Sequence, residues 1–131
     1  LARQRRQFGQ PIADFQLVRA MIADMQTDIH AARALVLETA KKRDAGEDVV
    51  MEASICKYFA SEMCGRVADR AVQIFGGAVY VADYSCIERL YRDARLFRLY
   101  EGTSQIHQLN IAKLTLRRDA GATATRTQRL G

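Results

Sequence analysis

The sequence predicts an all-α fold, and three observations support this class. The composition favours helices, because one proline, eight glycines and no tryptophan stand among many good helix formers such as Ala, Leu and Arg. Apolar residues recur at steps of three and four over two long stretches. With 131 residues, 49% of them hydrophobic, the chain can form one domain with a core and is too short for two ordinary domains.

The first seven residues are interpreted as the end of a helix, because the helical pattern opens without an N-cap residue before it. We therefore expect the chain to be part of a longer protein. Gly9 and Pro11 break this helix, since glycine permits a turn and proline cannot continue the hydrogen-bond ladder. The sequence predicts a sharp corner at residues 8–11.

Two long helices are predicted next, over residues 14–45 and 49–75. Asp14 can cap the first helix, and Gly46 and the pair Gly76-Gly77 can end the two helices, because glycine adopts the left-handed conformation at low cost. The short connection makes the helices antiparallel. Each helix has one apolar face, with Phe15, Val18, Ile22, Met25, Ile29, Ala32 and Val36 in the first and Met51, Ile55, Phe59, Met63, Val67, Ala71 and Ile74 in the second.

The rest of the chain is predicted to contain two further helices. Residues 78–86 are expected to form a loop and residues 87–96 a short helix. Thr103 is a suitable N-cap for the last helix. The apolar face of that helix consists of Ile106, Leu109, Ala112 and Leu116. Residues 119–131 have too few bulky apolar side chains to pack, so we expect a disordered tail.

Charge and cysteine content exclude several function classes. The net charge is +5, but the arginines lie mainly at the two ends without interleaved aromatic residues, so nucleic-acid binding is not expected. No uncharged apolar stretch approaches the roughly 18 residues of a membrane span, and no secretory signal opens the chain. We expect a cytoplasmic or mitochondrial-matrix protein. Three cysteines without CxxC spacing and two distant histidines predict no metal site.

Four segments, taken in order, carry a resemblance to a known family. They are residues 5–16 with the run Arg-Arg-Gln-Phe-Gly-Gln-Pro-Ile, residues 23–25, residues 73–77 with Gln-Ile-Phe-Gly-Gly, and residues 88–106 with Tyr-Glu-Gly-Thr at 100–103. The ordered set resembles the C-terminal domain of acyl-CoA dehydrogenases over residues 1–118. The resemblance implies an antiparallel, up-and-down four-helix bundle. In a full subunit of that family, an N-terminal helical domain and a middle β-domain precede it.

By this resemblance, Glu101 is the catalytic base of the Tyr-Glu-Gly-Thr motif. A carboxylate suits this role, because the proton beside a thioester carbonyl is weakly acidic and burial makes a carboxylate a stronger base. The β-hydrogen leaves as hydride to the N5 atom of flavin. Tyr100 is expected to line the acyl pocket, and Gly102 to let the backbone approach the substrate. Outside the motif, Glu101 would instead be interpreted as an ordinary acidic residue before a helix, where the helix macrodipole favours it.

The same resemblance places nine residues at FAD, in three sets. The first set contacts the FAD of a neighbouring subunit, with the arginine at the pyrophosphate, and consists of Arg5, Gln7 and Phe8. The second set lies near the adenosine part of that cofactor and consists of Gln16, Gln73, Gly76 and Gly77. The third set lies at a helix N-terminus, where anionic groups are favoured, and consists of Thr103 and Gln105.

Some of these residues are also compatible with purely local structural roles. Arg5 suits a solvated helix end, Gly76 and Gly77 a helix stop, and Thr103 a simple N-cap. Val79 stands where the family usually has glycine. Because a β-branched residue resists positive φ, we expect the loop after Gly77 to follow a different path.

The implied activity is FAD-dependent α,β-dehydrogenation of an acyl-CoA thioester, with the domain inactive in isolation. The implied partners are the acyl-CoA substrate, identical subunits in a dimer or tetramer, and an electron-transfer flavoprotein. Two alternatives stay open. The scaffold is also used by flavin-dependent acyl-CoA oxidases or monooxygenases, and the altered loop at Val79 is compatible with a cofactor-free helical dimerisation module.

Overall fold

The structure is a computed structural model that describes residues 2–81 and 85–128, with side chains to residue 120. Its α-helices are α1 (Gln16–Asp44), α2 (Val50–Phe75), α3 (Ile87–Leu96) and α4 (Ser104–Gln128). Two-residue strands β1 (Arg6–Gln7) and β2 (Gln10–Pro11) and 3₁₀ turns at Ile12–Asp14 and Gly77–Tyr80 complete the described elements. The predicted all-α class with four helices is confirmed.

The N-terminal segment differs from its prediction. Residues 1–7 were expected to end a helix, but Arg6–Gln7 pairs with Gln10–Pro11 as an antiparallel hairpin. Phe8 and Gly9 both have positive φ, 49° and 81°, which is the geometry that closes a two-residue hairpin. The predicted corner is present at this point. The prediction of a helix end at residues 1–7 is wrong, because the turn at Phe8 and Gly9 brings residues 10–11 back beside residues 6–7.

Helices α1 and α2 are antiparallel, as the short connection predicted. Near one end of the pair, Arg66 Nε and Arg70 Nη1 donate to the Asp28 carboxylate at 3.2 and 3.1 Å. Towards the other end, the Cys56 thiol lies 3.2 Å from Thr39 Oγ1. The hydrogen bond from Arg66, with help from Arg70, holds the pKa of Asp28 below its ordinary value.

Helix α2 is the central helix, because α1, α3 and α4 all pack against it. Ser104 at the start of α4 contacts Glu62, whereas Arg118 far along α4 contacts Glu52 near the start of α2. Helix α4 is therefore antiparallel to α2. Helix α3 packs on the C-terminal half of α2, next to residues 64–72. Helices α3 and α4 thus follow each other along α2, and the loop between them crosses its middle.

The core of the described chain is small. Its buried apolar side chains are Ile12, Ala32, Ile74, Val79 and Ala94. Val79 is only 4% exposed, in the 3₁₀ turn after α2. Among the described residues, positive φ at non-glycine positions occurs only at Phe8 and Glu101. The valine therefore fits its turn without strain and contributes to the core.

The end of the chain also differs from its prediction. Helix α4 continues to Gln128, so the backbone of residues 119–128 is helical where the composition predicted disorder. Alanine, which has the highest helix propensity, recurs in this stretch, and proline is absent from it. Residues 82–84 of the predicted loop and residues 129–131 of the predicted tail lie outside the described residues. The domain boundary at residue 118 stays a prediction.

Candidate functional site

The segment between α3 and α4 places Tyr100, Glu101 and Gly102 over the middle of α2. The backbone turns sharply here, because Glu101 and Gly102 both have positive φ, 54° and 89°. Helix α4 begins directly afterwards. The Ile106 amide donates to Thr103 Oγ1 at 3.3 Å, so Thr103 caps the helix, the role that its local sequence also suggested.

Glu101 lines an open groove between this segment and α2. The groove encloses about 490 Å³ and is lined mainly by apolar groups, among Lys57, Ala60, Ser61, Met63, Cys64, Phe97, Tyr100 and Glu101. Burial raises the pKa of the Cys64 thiol, so this lining group is neutral. Glu101 itself is exposed. The burial expected for a catalytic base is therefore not supplied by this chain.

Lys57, which the sequence did not single out, anchors the segment to α2. Its ammonium donates to the Phe97 carbonyl at 2.7 Å and to the Gly102 carbonyl at 2.7 Å. The same ammonium lies 5.8 Å from the centre of the Tyr100 ring, within the range of a cation–π contact. The available signal was a single lysine inside an otherwise mainly apolar stretch of α2.

His107 contacts the same segment from α4. Its Nε2 lies 3.1 Å from the Glu101 carbonyl oxygen, so the tautomer that carries hydrogen on Nε2 donates to that carbonyl. A side chain at position 102 would clash here, because a Cβ on Gly102 would lie 3.0 Å from His107 Nε2. Gly102 is therefore required for its φ of 89° and for the approach of the imidazole.

A second contact network ties the start of α4 to α2. The Ser104 hydroxyl donates to Glu62 Oε1 at 2.6 Å, and Arg98 Nη1 donates to Glu62 Oε2 at 3.3 Å. The Ser104 hydrogen bond and the Arg98 charge together hold the pKa of Glu62 below its ordinary value, against an opposing effect of burial. Glu62 is therefore a structural carboxylate that stays ionised.

Arg5 and Gly76 meet at the C-terminal end of α2. Arg5 Nη1 donates to the Phe75 carbonyl, which fixes the N-terminal segment to this helix end. Gly76 has a φ of 74°, and a Cβ there would lie 2.9 Å from Arg5 Nη1. The glycine thus makes room for the guanidinium, a group whose shape and charge match phosphate oxygens.

The other residues predicted at FAD are exposed and fall at two places. Gln105 lies in the first turn of α4, beside the Glu101 segment, and is exposed. The hairpin side chain of Phe8 is 93% exposed and meets Phe15 edge-on, with ring centres 6.3 Å apart. Near the Arg5 end of the molecule lie the further exposed residues Gln7, Gln16, Gln73 and Gly77.

The predicted site residues therefore form two groups rather than one. Cys64, in the groove of Glu101, and Phe75, beside Arg5, are separated by about 17 Å along α2. The structure brings Tyr100, Glu101, Gly102, Thr103 and Gln105 together in one group. It brings Arg5 and Gly76 together in the other.

Comparison with known proteins identifies the family. A profile of the acyl-CoA dehydrogenase C-terminal domain matches residues 1–116. The chain belongs to the acyl-CoA dehydrogenase family. A relative from Acetobacterium woodii, the caffeyl-CoA reductase-Etf complex subunit CarC, is 46% identical over 117 residues. The match covers 89% of this chain and 31% of that relative.

Two solved structures have the same fold as this chain. Butyryl-CoA dehydrogenase from Megasphaera elsdenii matches with a TM-score of 0.84 and 39% identity, over 88% of this chain and 30% of that one. An FAD complex of PigA matches with a TM-score of 0.82 and 32% identity, again over 88% and 30%. The chain thus spans about 30% of the length of these proteins.

Two kinds of feature are absent from the described residues. Within residues 2–81 and 85–128, no three His, Cys, Asp or Glu side chains come together as a set of metal ligands. No helix in the same ranges combines the length and apolar character needed to cross a membrane.

Proposed function

We propose that this chain is the C-terminal helical domain of an FAD-dependent acyl-CoA dehydrogenase in which Glu101 removes the α-proton of the thioester. The observation that carries the proposal is the position of Glu101. It lines the mainly apolar groove between α2 and the segment before α4, in a chain whose family is defined by such enzymes. Tyr100 lines the same groove and is assigned to the acyl chain.

The groups of the site fit a simple division of roles. The Glu101 carboxylate takes the α-proton, and the electron pair of that C–H bond forms the new carbon–carbon double bond as the β-hydrogen leaves with its bonding pair. Bound flavin supplies the acceptor for that hydride. Apolar lining from Ala60, Met63 and Phe97 excludes water from the acyl group, which strengthens the carboxylate as a base.

The donors around Arg5 support FAD as the cofactor. The guanidinium lies against Gly76, where a Cβ would come within 2.9 Å of Nη1, so the absence of a side chain at position 76 lets this cationic group lie at the end of α2. Gln7, Phe8, Gln16, Gln73 and Gly77 supply exposed groups at the same end. Thr103 and Gln105 are assigned to the flavin side, at the N-terminus of α4.

The groove of Glu101 requires a cover that this chain does not contain. Glu101 is exposed and Tyr100 is 46% exposed, whereas an effective base works in a site without bulk water. We assign the cover to bound acyl-CoA, flavin and the remaining domains, since the chain spans only about 30% of its relatives. Identical subunits are proposed to complete each other's FAD sites.

The direction of the reaction in the cell is a second question. The relative from Acetobacterium woodii is named as a reductase subunit of an Etf complex, and the structure from Megasphaera elsdenii as a dehydrogenase. Both directions use the same groups, because the carboxylate that takes the α-proton in one returns it in the other. An electron-transfer flavoprotein is proposed as the redox partner in either case.

Replacing Glu101 by Gln in the full flavoprotein tests the proposal. We expect the rate of anaerobic flavin bleaching by acyl-CoA to fall about 10²- to 10⁴-fold, the range for loss of a general base, while FAD stays bound. Glu47→Gln is the matched control, since Glu47 is an exposed carboxylate in the turn between α1 and α2. Stopped-flow absorbance measures the rate, and the FAD content is measured separately.

Two results would remove the assignment. If Glu101→Gln bleaches the flavin at the rate of the control, Glu101 is not the base. If the full protein is colourless and does not take up FAD, the cofactor-free helical module replaces the enzyme. Reoxidation by oxygen as fast as by an electron-transfer flavoprotein would instead identify an oxidase.

A further inference from the structure

We infer that Lys57, assisted by His107, is the positioning group that aims Glu101, an inference that rests on the proposed role of Glu101 as base. The two side chains hold the main chain on both sides of Glu101 and at Glu101 itself. Neither contact involves the Glu101 carboxylate, so both act on where the base points.

The conformation of Glu101 has to be imposed. A φ of 54° is uncommon for any residue with a Cβ, and Glu101 is exposed, so packing of its own side chain does not impose it. The following residue, Gly102, also has positive φ, 89°. Two successive left-handed residues make a sharp turn in the segment between α3 and α4, and Glu101 lines the groove at this turn.

Lys57 fixes the two ends of the segment that contains this turn. Its ammonium donates to the Phe97 carbonyl before the turn and to the Gly102 carbonyl after it, both at 2.7 Å. Such distances are typical of strong, charge-assisted hydrogen bonds. In the described part of the chain Lys57 makes no ion pair with a carboxylate. Its charge is used on main-chain carbonyls.

His107 fixes the turn at Glu101 itself. With hydrogen on Nε2, the ring donates to the Glu101 carbonyl at 3.1 Å. Its Nδ1 is then an acceptor, buried and without a partner in the described residues. Gly102 permits the contact made by Nε2, since a Cβ there would lie 3.0 Å from that atom.

Lys57→Met in the full flavoprotein tests this inference. The substitution keeps the aliphatic stem against α2 and removes both hydrogen bonds. Since a base displaced by about 1 Å can slow a reaction about 100-fold, we expect the limiting rate of flavin bleaching to fall by about that factor. The acyl-CoA dissociation constant and FAD content should change little, because the groove walls remain. Lys113→Met, at an exposed lysine on α4, is the matched control.

Lys57→Arg provides the rescue. Arginine has five donors and a permanent charge, so it can still donate to both carbonyls, and we expect most of the rate to return. Hydrogen–deuterium exchange followed by mass spectrometry checks that the effect is local. In Lys57→Met the amides of residues 97–103 should exchange faster, while those of α1 keep the rate of the unsubstituted protein.

A double-mutant cycle separates this inference from the function itself. Glu101→Asp sets the carboxylate back by one methylene, and we expect it to be slow on its own. If Lys57 acts through Glu101, the double variant will be much less impaired than the product of the two single effects. Multiplicative effects, or a normal rate in Lys57→Met, would overturn the positioning role alone. A normal rate in Glu101→Asp and Glu101→Gln would overturn the proposed function.

Discussion

The left-handed conformation of Glu101 has a cost that its neighbours can offset. For an L-residue this region costs roughly 1–2 kcal/mol, and Glu101 has a φ of 54°. A hydrogen bond to a charged group contributes about 1.5–3 kcal/mol when it is well shielded. Lys57 makes two such bonds to the surrounding carbonyls. Even discounted for partial exposure, they are of the size needed to hold the turn.

Gly76 provides a test of the proposed phosphate site at the scale of one residue. We expect Gly76→Ala to weaken FAD binding at least about tenfold, which corresponds to about 1.4 kcal/mol, because the added methyl would lie 2.9 Å from Arg5 Nη1. Gly46→Ala is a matched control, since Gly46 has a similar φ of 82° with nothing within 4 Å. FAD dissociation constants are measured by fluorescence titration of the apoprotein. Equal effects of the two substitutions would indicate backbone strain only.

Single residues also show what the sequence could not reveal. Lys57 lies 40 and 45 positions from the carbonyls it contacts, and those acceptors are main-chain atoms that any residue type possesses. The lone lysine in a mainly apolar stretch of α2 is a signal for some contact, but nothing in the sequence indicates which carbonyls it reaches. The role predicted for Glu101 came from the resemblance of the Tyr-Glu-Gly-Thr run to a family motif, and it stays a prediction.

At the scale of elements, one ionised carboxylate, Glu62, connects the start of α4 to α2. Glu62 accepts from Ser104 in the first turn of α4 and from Arg98 in the preceding segment. Both donors flank the Glu101 turn. The network therefore fixes the start of α4 relative to α2 independently of Lys57.

The lowered pKa of Glu62 predicts a specific pH dependence of stability. Because its folded-state pKa is below the ordinary value of 4.5, the ionised group stabilises the fold above that pH, and the contribution is lost as pH falls through the folded-state pKa. We expect Glu62→Gln to lower the free energy of unfolding by about 1–2 kcal/mol at pH 7, and by less below about pH 4. Urea unfolding at several pH values measures it. Glu47→Gln should show no such loss, and a pH-independent difference would contradict the role given to the ionised carboxylate.

Helix boundaries followed the sequence where a local signal ended them. Helix α2 ends at Phe75, as predicted, because Gly76 takes a positive φ that stops the helical hydrogen-bond ladder. Helix α3 also has its predicted bounds, Ile87–Leu96. Helix α1 starts at Gln16 rather than at residue 14, since Ile12–Asp14 forms a 3₁₀ turn. The hairpin at residues 6–11 was missed because strands of two residues are too short to show alternation.

At the scale of the whole molecule, the chain leaves many large apolar side chains at its surface. Leu17 is 80% exposed, and Leu109 and Leu116 on α4 are 68% and 69% exposed. The buried apolar set contains mainly small or medium side chains. Exposed apolar surface of this extent is typical of faces that contact another domain or subunit.

The isolated chain is therefore expected to self-associate. We expect its weight-average sedimentation coefficient to rise with concentration, and the double substitution Leu109→Asn and Leu116→Asn to reduce that rise, because both positions are exposed on α4. Sedimentation velocity measures the coefficient, and circular dichroism checks that the variant is folded. A concentration-independent monomer for the unsubstituted chain would show that these faces need no partner in solution.

The fold of the whole molecule was more predictable than its site. The apolar periodicity from Met51 to Ile74 marks a face of α2 that is at least partly buried along its length, and this information is local. In the predicted face of α1, by contrast, Ile22, Ile29 and Val36 are exposed. The shape of the proposed acyl pocket is different, since Tyr100 and Phe97 form only one wall of an open groove. One open wall does not define the length or branching of a bound chain.

The anchoring of residues 97–102 through carbonyl oxygens also affects how this scaffold can diversify during evolution. Hydrogen bonds from a lysine to backbone carbonyls do not depend on which side chains the contacted residues carry. The backbone path of residues 97–102 is thus independent of the side chain at position 101. A substitution at position 101 can therefore change the side chain that the segment carries while both hydrogen bonds of Lys57 remain, provided that the new residue tolerates the left-handed conformation.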